Sequence, residues 1–183
     1  MKDIILVSHC MLNTFSKVES FGEEEGREEA RRKVMKTIIE NGIGIIQLPC
    51  PELIMYGTKR WGHVKDQFDT PHFRNVCRCE FEIYLQQLQE YINNGYNIIG
   101  ILGIDGSPSC GVDLTCVGDW RGEIGSNPNL KQTIDSIKYV GEMGVLMDEI
   151  SKILSENGIE LEMFGFQTET ADKICERIEN AVK

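Results

Sequence analysis

No apolar run in this sequence reaches the length of a membrane span. Ile4 to Val7, the apolar stretch that follows Lys2 and Asp3, is far too short for the core of a signal peptide. A membrane role is therefore not expected, Cys10 does not read as a lipidation site, and the expected location is cytoplasmic. Positive charge is scarce too. With 19 Lys and Arg against 29 Asp and Glu, the net charge is −10, which argues against a nucleic-acid backbone or an anionic membrane as partner and leaves a small molecule as the expected ligand. There is no internal repeat, no low-complexity tract and no linker. The 183 residues thus read as a single domain, 1–183, long enough to bury a full core.

Cysteine, in contrast, is plentiful. Cys10, Cys50, Cys77, Cys79, Cys110, Cys116 and Cys175 make an odd, irregularly spaced set in a chain too large to need disulfide staples, which favours a reducing compartment and metal or thiol chemistry. None of them forms the paired spacing of a zinc ribbon.

Short apolar runs alternate with helical patterns. Ile4–Val7, 43–48, 97–104 and 159–164 read as strands buried on both faces. Helices are expected over 23–41, stopped by Asn41-Gly42, over 75–94, over 141–157, and over 170–182 with Thr170 as N-cap. Irregular segments remain near 55–73 and near 112–130. Strand–helix alternation of this kind implies right-handed crossovers and a parallel sheet covered on both faces. The expected architecture is a three-layer α/β fold, Rossmann-like or flavodoxin-like, with about four strands in the order 2-1-3-4.

That order gives the cysteines a common address. Cys10 follows the first strand, Cys50 the second and Cys110 the third, and strands 2, 1 and 3 are neighbours at the edge where such folds bind ligands. Adjacent strands lie about 4.8 Å apart, so three thiols beyond their ends can share one site. All three sit in turn contexts, Ser8-His9-Cys10, Cys50-Pro51-Glu52 and Gly106-Ser107-Pro108-Ser109-Cys110-Gly111, unlike the apolar settings of ordinary core cysteines. Three thiolates without an obvious fourth suit zinc with an open position or a 4Fe-4S cluster with one iron free of protein. His9 is a weaker fourth candidate, because a side chain adjacent to Cys10 points the other way on leaving a strand.

These three motifs resemble those of the thiouracil desulfidase family, with the Gly106 to Gly111 turn the most specific of them. The resemblance covers most of the chain. The sequence departs from the family's usual form after Cys10, at Met11-Leu12-Asn13, and around Arg60, and so looks like a divergent branch. What the resemblance implies is a 4Fe-4S cluster held by Cys10, Cys50 and Cys110, and an enzyme that removes sulfur from a thiolated nucleobase and releases it as sulfide. Glu52, two residues past a ligand, is the candidate to activate water or shuttle a proton. Ser107 and Ser109 are placed to hydrogen-bond substrate or cluster sulfur.

Two other readings compete. One is a non-catalytic protein that binds or senses metal or sulfide at the same three cysteines. The other is a metal-free enzyme using Cys110 as nucleophile. Cys77, Cys79 and Cys175 read as structural, and Cys116 as a reserve thiol near the site. His63 and His72 fall in the irregular segment near 55–73, which would cap a ligand, and Arg60 and Trp61 in the same segment would pair with or stack on a base; a surface role is the equal alternative for each.

Overall fold

The computed structural model describes residues 2–20, 22 and 26–182. Four parallel strands form the main sheet: β1 (Asp3–Val7), β2 (Gly44–Gln47), β3 (Asn97–Ile104) and β6 (Met163–Phe166), in the order β2-β1-β3-β6. Two further strands, β4 (Thr115–Val117) and β5 (Lys138–Val140), pair antiparallel outside it. The helices are α1 (His9–Leu12), α2 (Arg27–Glu40), α3 (Pro51–Tyr56), α4 (Lys65–Phe68), α5 (Pro71–Asn93), α6 (Leu130–Asp135), α7 (Val145–Glu156) and α8 (Ala171–Ala181). The fold is the Rossmann/flavodoxin-like α/β sandwich that the strand alternation predicts. Among the described residues, no helix is long and apolar enough to cross a membrane.

The three layers follow from strand geometry. Successive side chains of a strand point to opposite faces. Leu6 and Ile101 therefore pack with Phe81, Leu88, Ile150 and Ile153 of α5 and α7. Ile5, Val7, Leu102 and Ile104 pack with Val34, Ile38, Ile174 and Ile178 of α2 and α8. All of these side chains are buried, so both faces of the central strands are covered and their continuous apolar character is explained.

Several boundaries differ from the sequence reading. The fourth strand begins at Met163, where it pairs with Ile101 of β3, and not at Ile159. Gly158, at a φ of +66°, closes α7, and Ile159 and Leu161 only lean on the core before pairing begins. The first turn of α5 starts at Pro71, because the Thr70 hydroxyl accepts from the Phe73 N–H at 3.2 Å and Pro71 needs no N–H partner there. The segment 55–73 is less irregular than expected, since it holds the end of α3, all of α4 and the start of α5. Likewise 112–130 carries β4, a strand too short to show a period. Helix α7 starts at Val145 and not at 141, because Gly144 is extended and its N–H donates to Gly111 O at 2.9 Å, tying this stretch to the Cys110 turn. Thr170 occupies the N-cap of α8 without the expected cap bond; its hydroxyl accepts from Gln167 N and donates to Gly165 O. The expected start of the second helix at Glu23 lies outside the described residues, and α2 is described from Arg27.

An ionic lattice joins α5 to α7. Arg74 reaches Asp69, Asp148 and Glu149, Arg78 reaches Glu149 at 3.1 Å, and Lys152 reaches Asp148 at 2.6 Å. Glu149 is only 4% exposed. Desolvation pushes its carboxyl up, but Arg74, Arg78 and Lys152 together outweigh that and hold it below the usual range. A carboxyl depressed in the folded state stabilises above its unfolded pKa and loses that contribution as pH falls through the folded value. Arg74→Met should therefore cost about 2 kcal/mol near neutrality, since it strips a partner from a buried carboxylate. The deficit should shrink as denaturation midpoints are followed down through the carboxylate range; a deficit that does not depend on pH would show the loss to be one of packing.

Candidate functional site

The C-terminal ends of β2, β1 and β3 are adjacent, and each delivers a cysteine. After β1 the chain turns at once into α1, which carries Cys10. Ser8 N donates to Leu102 O at 2.8 Å, and Arg31 of α2 donates to the Met11 carbonyl, so that single helical turn is held from two sides. After β2, Leu48 N still donates to Val7 O, and Cys50 stands at the extended N-cap of α3 with Pro51 beginning the helix. After β3 the chain reverses, and Ile104 N donates to Cys110 O at 2.8 Å.

The Cys110 turn is bonded inwardly. The Ser107 hydroxyl accepts from Cys110 N at 3.0 Å and from Ser109 N at 3.3 Å. The buried Asp105 carboxylate accepts from Val112 N at 2.9 Å and Asp113 N at 3.0 Å, an aspartate arranging the backbone that follows it. Two glycines on neighbouring segments let the turn seat: a Cβ at Gly103 would stand 2.5 Å from Cys110 O, and one at Gly144 would stand 2.6 Å from the Ser109 carbonyl.

Cys10, Cys50 and Cys110 line a single cleft of about 250 Å³, together with Glu52, Ser107 and Ser109. Glu52, in the first turn of α3, is held at both carboxylate oxygens. Oε2 accepts from Arg60 Nε at 3.2 Å, and Oε1 accepts from Ser109 Oγ at 2.5 Å. Ser109 Oγ also lies 3.5 Å from Cys110 Sγ. A hydroxyl carries one proton, so it donates to the carboxylate or to the sulfur, one at a time.

The thiols perturb one another. Burial pushes the Cys10 thiol up to about 12, with the Cys50 and Glu52 charges adding to the effect. Cys110 is raised well above the ordinary thiol range, first by burial and then by the Cys10 and Cys50 charges, against a smaller opposing bond from Ser109. Cys50 is raised chiefly by burial. An activated nucleophile is the opposite case, a thiol whose pKa is lowered. Cys110 therefore does not read as an attacking group. Raised thiols ionise when a metal centre supplies the missing positive charge. Among the described residues no three His, Cys, Asp or Glu side chains stand as the ligand set of a metal ion, which leaves the single-zinc alternative unsupported.

Uncharacterized protein MJ0003 of Methanocaldococcus jannaschii is 40% identical to this chain over 111 residues, which is 61% of the chain and 69% of that protein. The chain belongs to the MJ0003 family. No family model matches it, and no solved structure does. The name of that relative carries no activity.

The other residues singled out in the sequence of this MJ0003-family chain divide clearly. His9 is not among the cleft residues; its Nδ1 hydrogen-bonds Leu48 O at 3.2 Å, and its own carbonyl accepts from Gln47 Nε2, pinning the ends of β1 and β2 together. Cys77 is buried inside α5 and Cys175 inside α8, while Cys79 and His72 are exposed. Cys116 does line the cleft, with Sγ donating to His63 O at 3.5 Å. Sequence reasoning placed Arg60 in a capping loop, whereas its side chain is 3% exposed and donates to Glu52, Gly57 O and Ser16 O. It ties the helix carrying Glu52 to the segment that follows Cys10. Asp105 and Arg31 were missed as organisers of the cysteine turns. An Asp at a strand end before a Gly-rich turn is a readable sign; for Arg31 no local signal exists.

Proposed function

We propose that the protein is an iron-sulfur-cluster-dependent desulfidase that removes sulfur from a small thiolated compound, of the thiouracil type, and releases it as sulfide. One observation carries the reading: a single hydroxyl, Ser109 Oγ, stands between the Glu52 carboxylate and the Cys110 thiol in a cleft lined by three strand-end cysteines. The residue set fits a 4Fe-4S cluster. Three soft thiols line one cleft, and all seven cysteines are free. A cubane is larger than a lone ion and needs its thiolates farther apart, so the want of a single-ion ligand set does not count against it.

When bound, the cluster supplies one iron without a protein ligand, a Lewis acid for soft sulfur. The chain's own residues do the rest. In the overall reaction a thiocarbonyl and water give a carbonyl and hydrogen sulfide. Carbon keeps its oxidation state, so neither an oxidant nor a reductant is consumed. Glu52 takes a proton from the attacking water, held in place for this by Arg60 at one oxygen. Ser109, whose one proton goes to the Glu52 carboxylate or toward the Cys110 sulfur, holds the base beside the thiols. Ser107 keeps the Cys110 and Ser109 amides engaged, so the turn does not rearrange during turnover.

Anaerobic purification followed by iron, sulfide and visible-absorbance measurement tests the cluster directly. Fresh protein should be brown and carry roughly four irons and four sulfides per chain. Protein reconstituted in this way should release sulfide from 2-thiouracil. A colourless, iron-free fresh preparation would overturn the reading; colour without sulfide release from any thiolated base would reduce it to metal or sulfide binding.

A further inference from the structure

The chain has two tryptophans, and both line one hollow. Trp61, from the segment between α3 and α4, and Trp120, from the segment after β4, face a cavity of about 160 Å³ that Ile124, Asn127 and Thr133 help to close. Its volume is below the roughly 300–1,000 Å³ of sites that enclose a whole ligand. It is the size of a subsite. Gly62 and His63 line both this hollow and the cysteine cleft, so the two compartments share a wall.

Two features of that wall point to a ligand. Trp61 leaves 70% of its surface exposed, a large apolar face unused by the fold. The wall is also rigid: His63 stacks on Phe68 at 4.8 Å and lies 4.9 Å from Tyr56, and Phe68 stacks on Phe73 at 4.4 Å, which anchors it to α5.

We propose that the Trp61–Trp120 hollow is a stacking subsite for a planar heteroaromatic group, and that the ligand of this protein has two parts, one at the cysteines and one flat ring system against the tryptophans. The proposal rests on the desulfidase reading only for what occupies the cysteine end. Stacking on indole faces selects a flat aromatic group and rejects a saturated one of the same size. A bare thiolated ring would occupy the cysteine cleft alone and leave the hollow empty, so the preferred substrate is larger than a single base.

The two tryptophans give two indole N–H signals in the nitrogen-15 correlation spectrum of the labelled chain, a readout that needs neither iron nor activity. Titration with uridine should move both signals to saturation, and ribose should move neither. Trp61→Ala, at an exposed position whose loss does not threaten folding, should weaken uridine binding by about tenfold or more, and Trp61→Phe, which keeps a ring, should restore most of it. Signals that stay fixed under uridine, or that respond equally to ribose, overturn the subsite, as does a Trp61→Ala chain that binds uridine as tightly as the parent. Those outcomes leave iron content and sulfide release from 2-thiouracil untouched, while a chain that binds uridine but holds no iron leaves the subsite standing and removes the desulfidase.

Discussion

Replacing Cys110 by alanine should remove the visible absorbance of anaerobically prepared protein, bring its iron content close to background and abolish sulfide release. The fold should survive. Cys110 is 5% exposed, and truncating its side chain leaves a small void that costs about 1 kcal/mol, well within the stability of a domain of this size. Cys77→Ala is the matching control. That thiol is fully buried too, but it packs between α5 and its neighbours, among Phe73 and Phe81, and meets no substrate. Its loss should cost a similar amount of stability with iron and activity unchanged. If both variants behave alike, the sulfur at Cys110 is only core material, and the three-thiol site has no special status.

Glu52→Gln should give the opposite profile, with iron retained and turnover reduced. The amide keeps the shape of the carboxylate but cannot take a proton, and general acid–base groups typically contribute about 10²–10⁴-fold. A drop of that order in kcat at unchanged iron content is the expected result. Arg60 then loses its charged partner while its side chain stays 3% exposed, so a fall in denaturation midpoint should accompany the substitution. The two effects are separable, because kcat is expressed per iron-loaded chain. A variant that turns over at the parent rate would take the proton-transfer role from Glu52 and leave it as a structural partner of Arg60.

The sheet order was legible because continuous apolar runs such as 97–104 carry a strong signal, and because a helix after each strand restricts the connection to one hand. The meeting of Cys10, Cys50 and Cys110 followed from that order alone, since nothing in their spacing along the chain announces it. Of the helix starts, that of α8 was legible at Thr170, whereas no helix was expected at Pro51, α5 was expected from 75 and starts at Pro71, and α7 was expected from 141 and starts at Val145, where the boundary depends on a tertiary contact. The bond between Ser109 and Glu52 was not legible, because it joins two loops whose relative position depends on all the packing beneath them. The burial of Arg60 escaped for a similar reason: a run of basic and aromatic residues looks like a solvated loop until its guanidinium finds two backbone carbonyls and a carboxylate.

Gly103 and Gly144 carry no functional group and touch no ligand, yet the Ser109-Cys110 backbone rests on them where a side chain would stand. The position of the sulfur is thus recorded partly in what is missing from two other segments. An added methyl at either would displace the thiol from its companions as surely as a change in the turn itself. The chemical centre is therefore broader than its reactive atoms: it includes empty space that the chain must keep open, one piece inside β3 and the other just before α7, separated by the whole turn they support.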